Sequence, residues 1–193
     1  MLVDVLPDLD HRHRLLQAMA ETVAAKGYAA VTIADLASAA RVSKRSFYEH
    51  FSDKPACFIA LYESASLATL KVLREALDPR RDWHDQVEQA LAAYLACLAR
   101  NPALLATLFV EIMGLGAEGL AARRRSTERF ADLIIEVVKA SGQHDLGREQ
   151  AVAIVGGIHE WVLQAVESQR VPDLPRLAAP GARLVRAVLD ARG

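Results

Sequence analysis

The sequence has few of the residues and motifs that carry chemistry in enzymes. Its two cysteines, Cys57 and Cys97, do not have the spacing of metal ligands; we expect free thiols in a reducing compartment, with a redox switch as the alternative. A glycine-rich phosphate loop, a nucleophile elbow and an HExxH pattern are all missing, and Ser126 and Ser141 have no evident base partner. The sequence therefore predicts a protein that is not an enzyme, with no catalytic residues, no metal and no cofactor.

Long uncharged hydrophobic runs are missing as well. Although 52% of the residues are hydrophobic, no stretch reaches the roughly 18 uncharged apolar residues that a membrane-spanning helix needs. The first residues, MLVDVLPDLDHRHR, include acids where a secretory signal needs basic residues followed by an apolar core. We therefore expect a cytoplasmic protein that does not enter a membrane.

Strand signals are almost absent. Alternating runs of β-branched residues do not occur, whereas alanine and leucine recur at helical spacing throughout the chain. A chain of 193 residues is long enough for a sizeable core and two subdomains. The sequence predicts an all-α protein of about nine helices.

The charge is nearly balanced, with a formal net charge of −1. The first 54 residues contain seven basic and seven acidic residues, so this part is not basic overall. A protein that coats nucleic acid without sequence preference would be strongly basic. Any DNA binding must therefore come from a local patch and a shaped element, which favours sequence-specific binding.

The stretch from Thr32 to Lys54, TIADLASAARVSKRSFYEHFSDK, predicts two short helices joined by a tight turn. Thr32 and Ser43 are suited to cap the two helices. Phe47 and Phe51 fall on one face of the second helix, where they turn inward. We infer a helix-turn-helix whose second helix enters the DNA major groove.

The outward face of the second helix supports this inference. Lys44, Arg45 and Ser46 fill its first turn, the end that meets base edges in this motif. The side chains expected to donate to phosphate oxygens are Tyr48, His50 and Lys54. From position 41 to position 54 there are four basic residues against two acidic ones. The alternative is a solvated helical hairpin that happens to be basic.

Residues Gly27 to Lys54, GYAAVTIADLASAARVSKRSFYEHFSDK, resemble the DNA-binding signature of the TetR/AcrR transcriptional regulators nearly residue for residue. Arg41 departs from the pattern, because the family usually has glycine in this turn; a left-handed backbone there costs about 1 kcal/mol. Pro55 also departs from it, standing where an acidic residue is common, and suits the start of a new helix.

The resemblance implies a homodimer that binds double-stranded operator DNA, and most members of this family repress. Carried over position by position, Lys44, Arg45 and Ser46 touch bases or adjacent phosphates. The backbone contacts that it implies are Thr32, Ser43, Tyr48, His50 and Lys54. The resemblance therefore adds two residues, Thr32 and Ser43, to the DNA contacts inferred from the helix face.

The chain divides into a predicted DNA-binding domain, residues 1–52, and a ligand-binding and dimerisation domain, residues 53–193. A long helix from Asp53 or Pro55 to about Leu77 connects them. We further expect Arg123, Arg124 and Arg125 to open a later helix, and Pro180-Gly181 to break the last one.

A helix from Arg148 to about Ser168 predicts the dimer interface. Its apolar residues cover about 200° of the helix surface, roughly twice what one core needs. Gly156 and Gly157 lie just outside the two edges of this arc and permit close approach. The simplest partner is the same helix of a second subunit.

The second domain is expected to hold a small-molecule effector of largely apolar character, because helical bundles bind ligands between their helices. The residues predicted to line this site are Tyr94, Phe109, Met113 and His159. His159 lies within an apolar helix face, so it is either a pocket residue or a hydrogen-bonded core histidine. Arg123 is either a cation that binds an anionic ligand or part of a solvated face.

Together these features predict a ligand-responsive regulator, a repressor that a small molecule releases from its operator. The alternative is a ligand-independent DNA-binding regulator with a structural dimerisation bundle.

Overall fold

The computed structural model describes residues 5–78, 80–142 and 146–190, which form helices and no strands. The helices are α1 Val5–Lys26, α2 Ile33–Ala39, α3 Lys44–His50, α4 Lys54–Glu75, α5 Trp83–Ala99, α6 Pro102–Gly114, α7 Gly116–Ala140, α8 Arg148–Glu167 and α9 Ala178–Asp190. A 3-10 helix, Val171–Leu177, leads into α9. The all-α prediction with about nine helices is confirmed.

Helices α2 and α3 begin at the caps that the sequence predicts. The Thr32 hydroxyl accepts a hydrogen bond from the Asp35 backbone N–H at 3.2 Å, and the Asp35 carboxylate accepts one from the Thr32 N–H at 2.8 Å. This reciprocal pair satisfies two backbone donors at once. Ser43 caps α3 by accepting from the Ser46 N–H at 3.0 Å. The turn between the helices has Arg41 at φ +54°, so the predicted left-handed backbone is confirmed.

The first four helices share one hydrophobic core, which also takes in two buried residues of α6 and Ala122 of α7. Phe47 of α3 and Phe58 of α4 are fully buried in it, together with Leu108 and Ile112 of α6. The Cys57 thiol is also buried here, and burial raises its pKa to about 12. Because thiols react as thiolates, this burial disfavours oxidation of Cys57, which packs in the core.

Helix α4 continues from this core into the second half of the molecule, where it runs beside α7. Glu63 pairs with Arg125 at 2.7 Å, and Arg74 pairs with Glu136 at 3.0 Å. The partners advance together along both helices, so α4 and α7 are parallel. We call this contact the α4–α7 seam.

Two boundary predictions are wrong. Pro180 and Gly181 lie in the first turns of α9, where proline needs no hydrogen-bond donor, so they do not break it. The irregular backbone comes earlier, in the 3-10 helix that contains Pro172 and Pro175. Helix α7 begins at Gly116, so Arg123 to Arg125 lie well inside the helix and do not open it.

Helix α8 uses its wide apolar arc largely within one chain. It packs against α6, α7, α9 and the 3-10 helix, which surround it on several sides. Gly157 faces α9, because a Cβ at this position would lie 3.4 Å from Leu184. Gly156 faces open space, and Val152 and Leu163 on the same side are half-buried.

Helix α4 is the part of the described chain most similar in composition to a membrane span. An 18-residue window of it has a mean hydropathy of 1.4, so length and composition alone do not exclude a span. Core helices of soluble bundles have the same composition, and α4 packs against α1, α5 and α7. This packing buries 22% of that window.

Candidate functional site

The tip of α3 presents the predicted base-reading residues to solvent. Lys44 and Arg45 are exposed, and Ser46 is half-exposed. The Arg45 Nε donates to the Glu49 carboxylate at 3.1 Å, but the two side chains are 89% and 54% exposed. Such an exposed pair is worth little, so Arg45 is available to a DNA base at low cost.

The hydroxyl groups of the predicted contacts are partly committed to the fold. The Ser43 Oγ lies 3.0 Å from the Ser46 Oγ, and it also accepts the capping bond of α3. The Thr32 hydroxyl is 2.7 Å from the Asp35 carboxylate, which in turn pairs with Lys26 at 2.8 Å. Hydrogen bonds from Lys26 and Thr32 hold the pKa of Asp35 well below its usual range.

The aromatic flank of α3 is divided between solvent and core. Tyr48 is 57% exposed, and its ring stands edge-on to the buried Phe47, so its hydroxyl is free to reach a phosphate. His50 is half-buried, and its ring lies 6.4 Å from that of His11 on α1. His50 therefore joins the recognition helix to α1, and its role as a phosphate donor stays a prediction.

The Lys54 side chain contacts the loop before α2, a contact that the sequence did not indicate. Its ammonium group donates to the carbonyl oxygens of Tyr28 and Val31 at 3.1 and 3.0 Å. It also stands 4.3 Å from the centre of the Tyr28 ring, a cation–π distance. Lys54 thus ties the first turn of α4 to the loop before α2. Its contact with DNA phosphate stays a prediction, in competition with these bonds.

The second half of the chain contains an apolar pocket, which lies among α4, α5, α7, α8 and α9. Its empty space is about 620 Å³ when the solvent at its open side is counted. Its walls are almost entirely apolar and include Leu73, Trp83, Leu91, Ile134 and Val155. In the sequence these five are apolar residues like any in a helical core, so nothing there marks them as cavity walls.

Two predicted pocket residues, Tyr94 and His159, form one end of this cavity. The Tyr94 hydroxyl lies 3.2 Å from Nε2 of His159, and both side chains are buried. Burial, and to a lesser extent the positive charge of Arg123, lowers the pKa of His159 to about 4. The imidazole is therefore neutral at neutral pH. His159 is thus a hydrogen-bonded buried histidine that also lines the cavity, and its contact with a ligand stays a prediction.

A second cavity, of about 390 Å³, lies on the other side of the Tyr94–His159 pair. Phe109 lines it, and the Phe109 ring lies 5.7 Å from His159. Met113 is 39% exposed and lines neither cavity, so the structure does not bring it to the other three. Arg123 is exposed on α7, so its side chain does not form a wall of either cavity.

Among the described residues, no cluster of three or more histidine, cysteine or acidic side chains is arranged to hold a metal ion.

Residues 15–61 match the family model described as bacterial regulatory proteins of the tetR family. The nucleoid occlusion factor SlmA of Vibrio vulnificus is 32% identical over 96 residues, which are 49% of each chain. This chain thus spans about half the length of the Vibrio relatives it matches. SlmA of Shewanella halifaxensis is 28% identical over 170 residues, which are 88% of this chain and 85% of that protein.

Solved structures share the whole fold. The fatty acid degradation regulator FadR of Bacillus halodurans superposes with a TM-score of 0.75 at 20% identity, covering 90% of this chain and 96% of that one. FadR of Bacillus subtilis, solved in complex with stearoyl-CoA, has a TM-score of 0.71 at 17% identity and the same coverage. At these identities the likeness shows the fold alone.

Proposed function

We propose that this chain is a regulator of the TetR type, whose family model its residues 15–61 match, and that it is a repressor that a small, largely apolar molecule releases from operator DNA. The DNA-binding role is supported by the match of residues 15–61 and by the helix-turn-helix of α2 and α3. The ligand response, the repressor role and the contact residues are the parts that we propose. Regulators of this family are in general not enzymes, and no catalysis is proposed.

One observation carries the ligand response: the apolar cavity and the DNA-binding helices are joined by α4. Leu73 near the end of α4 lines the cavity, while Phe58 near its start lies in the core that supports α3. Helix α6 provides a second connection, since Leu108 lines the smaller cavity and also packs in that core. A ligand that moves α4 or α6 therefore moves the recognition helix.

The operator is read by two subunits whose recognition helices must match two half-sites. The half-sites of such dimers lie about 34–36 Å apart along the duplex, or a multiple of that distance. A tilt of α4 changes the distance between the recognition helices without altering their contact residues. We propose that the subunits meet through the face of α8 that includes Gly156, together with α9. The domain boundary at 52/53 and a cytoplasmic location belong to the same proposal.

The apolar lining makes an acyl chain the first effector class to test. The solved complex of the Bacillus subtilis relative contains stearoyl-CoA, which has such a chain. The walls of the larger cavity suit a chain of this type because apolar burial stabilises by about 25 cal/mol per Å². The rival proposal, a ligand-independent regulator, requires both cavities to stay empty or to be closed by side chains.

Calorimetry with and without operator DNA tests the proposal. An effector shifts the equilibrium only through its different affinities for the two shapes, typically by roughly 5–150-fold. By reciprocity, operator DNA must weaken effector binding by the same factor. Equal effector affinity in the two titrations would mean that no ligand-driven release exists, and it would favour the rival.

A further inference from the structure

The smaller cavity differs from the larger one in chemistry. Its lining includes the hydroxyl groups of Tyr62, Ser66 and Ser126 in addition to apolar side chains. Within the part of the chain that the structure describes, its lining contains no acidic side chain. It therefore offers hydrogen bonds to a polar group in a site that is otherwise apolar.

The hydroxyl groups of this cavity also hold the α4–α7 seam together. The Ser66 Oγ of α4 lies 2.6 Å from the Ser126 Oγ of α7, and Ser126 is only 2% exposed. Tyr62, one turn earlier on α4, lines the same cavity, and burial raises the pKa of its hydroxyl. The ion pairs on either side of this link are partly exposed and contribute little, whereas a buried hydrogen bond is costly to break without a replacement.

The two cavities share three lining side chains. Tyr94, Phe130 and His159 line both of them. The rings are in edge contact, with Phe130 at 5.4 Å from Tyr94 and 5.8 Å from His159. A linear molecule that displaces the Tyr94–His159 hydrogen bond would place its apolar part on one side and its polar end on the other.

The hydroxyl groups of the smaller cavity favour an acceptor over a cation. Burial raises the pKa of Tyr62 and lowers that of His159, so both groups are neutral at neutral pH and the Tyr62 hydroxyl keeps its proton. Hydroxyl groups donate readily to a carboxylate oxygen. An ammonium head would be desolvated here without a carboxylate partner.

We propose that the smaller cavity is the head-group site of the effector, and that the effector is a linear amphiphile with a carboxylate head. The carboxylate accepts the hydrogen bond of the Ser126 hydroxyl and so replaces the Ser66–Ser126 link across the seam. This inference rests on the proposed function, since it assigns the ligand class and the first event of release. Loss of the link frees α4 from α7 one turn beyond its contacts with the DNA-binding core.

The test compares two probes that differ only in the head, decanoate and decylamine, in titrations of operator DNA with the full chain. We expect decanoate to weaken operator binding by at least about fivefold, and decylamine to leave it within about twofold. Hexanoate and hexadecanoate extend the series if the decyl chain does not fit the larger cavity.

Substitutions of the hydroxyl side chains then test where the carboxylate head of the effector binds. Ser126→Ala removes both the seam link and the hydroxyl that donates to the carboxylate. Operator affinity without decanoate should therefore already be lower, and decanoate should change it by less than about twofold. Decanoate itself should still bind the variant in calorimetry, because the chain site is intact. Ser64→Ala, an exposed serine on the same helix, is the matched control and should behave as the unaltered protein. Tyr62→Phe is a second variant, and it should weaken decanoate binding without abolishing release.

The outcomes separate this inference from the proposed function. If decylamine releases the operator as well as decanoate does, or if Ser126→Ala keeps the full effect, the head-group site is wrong while ligand-driven release stands. If no carboxylate from hexanoate to hexadecanoate binds, the ligand class is wrong. If the chain fails to bind any operator, the proposed function itself fails.

Discussion

The ammonium group of Lys54 donates to the backbone carbonyl of Tyr28 at 3.1 Å and stands 4.3 Å from the centre of the Tyr28 ring. This contact fastens the first residue of α4 to the loop that precedes α2. Because α4 also lines the apolar cavity, a movement of α4 is carried to the helix-turn-helix through Lys54 as well as through the hydrophobic core.

Replacing Lys54 with alanine should therefore destabilise the DNA-binding helices. Two hydrogen bonds and a cation–π contact are lost, which predicts a decrease in the free energy of unfolding of about 1–3 kcal/mol. Operator affinity should fall for all sequences. Urea unfolding and operator titrations at several salt concentrations measure the two effects.

The salt dependence distinguishes the two roles of Lys54. Lys44→Ala is the control, because Lys44 is exposed at the tip of α3. Its replacement should lower the salt dependence of operator affinity by about one unit of slope. If Lys54 only positions the loop, Lys54→Ala leaves the slope unchanged. A reduced slope with unchanged stability would instead show that Lys54 leaves Tyr28 and contacts phosphate in the complex.

Arg45→Ala should weaken operator binding and relax base preference at one position of each half-site. A bidentate contact to guanine contributes about 1–3 kcal/mol of discrimination. Glu49→Ala is the control and should strengthen operator binding. It frees Arg45 from its ion pair and removes a negative charge that faces the DNA. Unchanged preference in a titration of single-base operator variants with Arg45→Ala would contradict the assignment of the recognition helix.

Gly156→Glu should dissociate the dimer and reduce operator binding while leaving the helix content intact. The reason is that Gly156 faces open space in one chain, so a new side chain disturbs only a partner. Gly157→Glu should dissociate it too, but it also strains the chain itself, because this residue faces Leu184 of α9. Sedimentation with circular dichroism checks both, and an unaltered dimer in Gly156→Glu would place the interface elsewhere.

The stability of the protein should fall in mild acid because of His159. Its pKa is lowered to about 4 by burial, whereas a histidine in the unfolded chain titrates near 6.5. The unfolded state therefore takes up the proton first, and the stabilisation present above about pH 6.5 is lost between that pH and about pH 4. At about 1.4 kcal/mol per unit, this group accounts for up to about 3 kcal/mol.

His159→Gln keeps a hydrogen-bonding partner for Tyr94 but does not titrate. Urea unfolding of both proteins across this pH range should show a steeper loss of stability for the unaltered protein. Parallel curves would mean that His159 is accessible to solvent protons in the folded state.

The parts of the fold that depend on neighbouring residues were predictable from the sequence. Thr32 and Ser43 cap the helices that follow them, and Arg41 takes the left-handed turn, because each is decided within a few residues. Pro180 was misjudged for a local reason, since the sequence did not show that α9 begins at Ala178.

The candidate sites depend on contacts between distant parts of the chain, and the sequence did not indicate them. Lys54 reaches back to Tyr28, and Ser66 meets Ser126 across 60 positions. From the sequence alone, Ser126 is a serine without a base partner, and Met113 is as plausible a cavity wall as Tyr94. Nothing in the local pattern distinguishes a side chain that lines a cavity from one that packs in a core.

Capture of genomic DNA fragments by the purified protein tests the central claim, sequence-specific binding by α3, most directly. The account predicts that a few fragments are enriched and that they share two inverted half-sites whose centres are about 34–36 Å apart, or a multiple of that distance. It also predicts that Arg45→Ala loses the enrichment of those fragments. Uniform capture of all fragments, or enrichment that Arg45→Ala leaves unchanged, would contradict it.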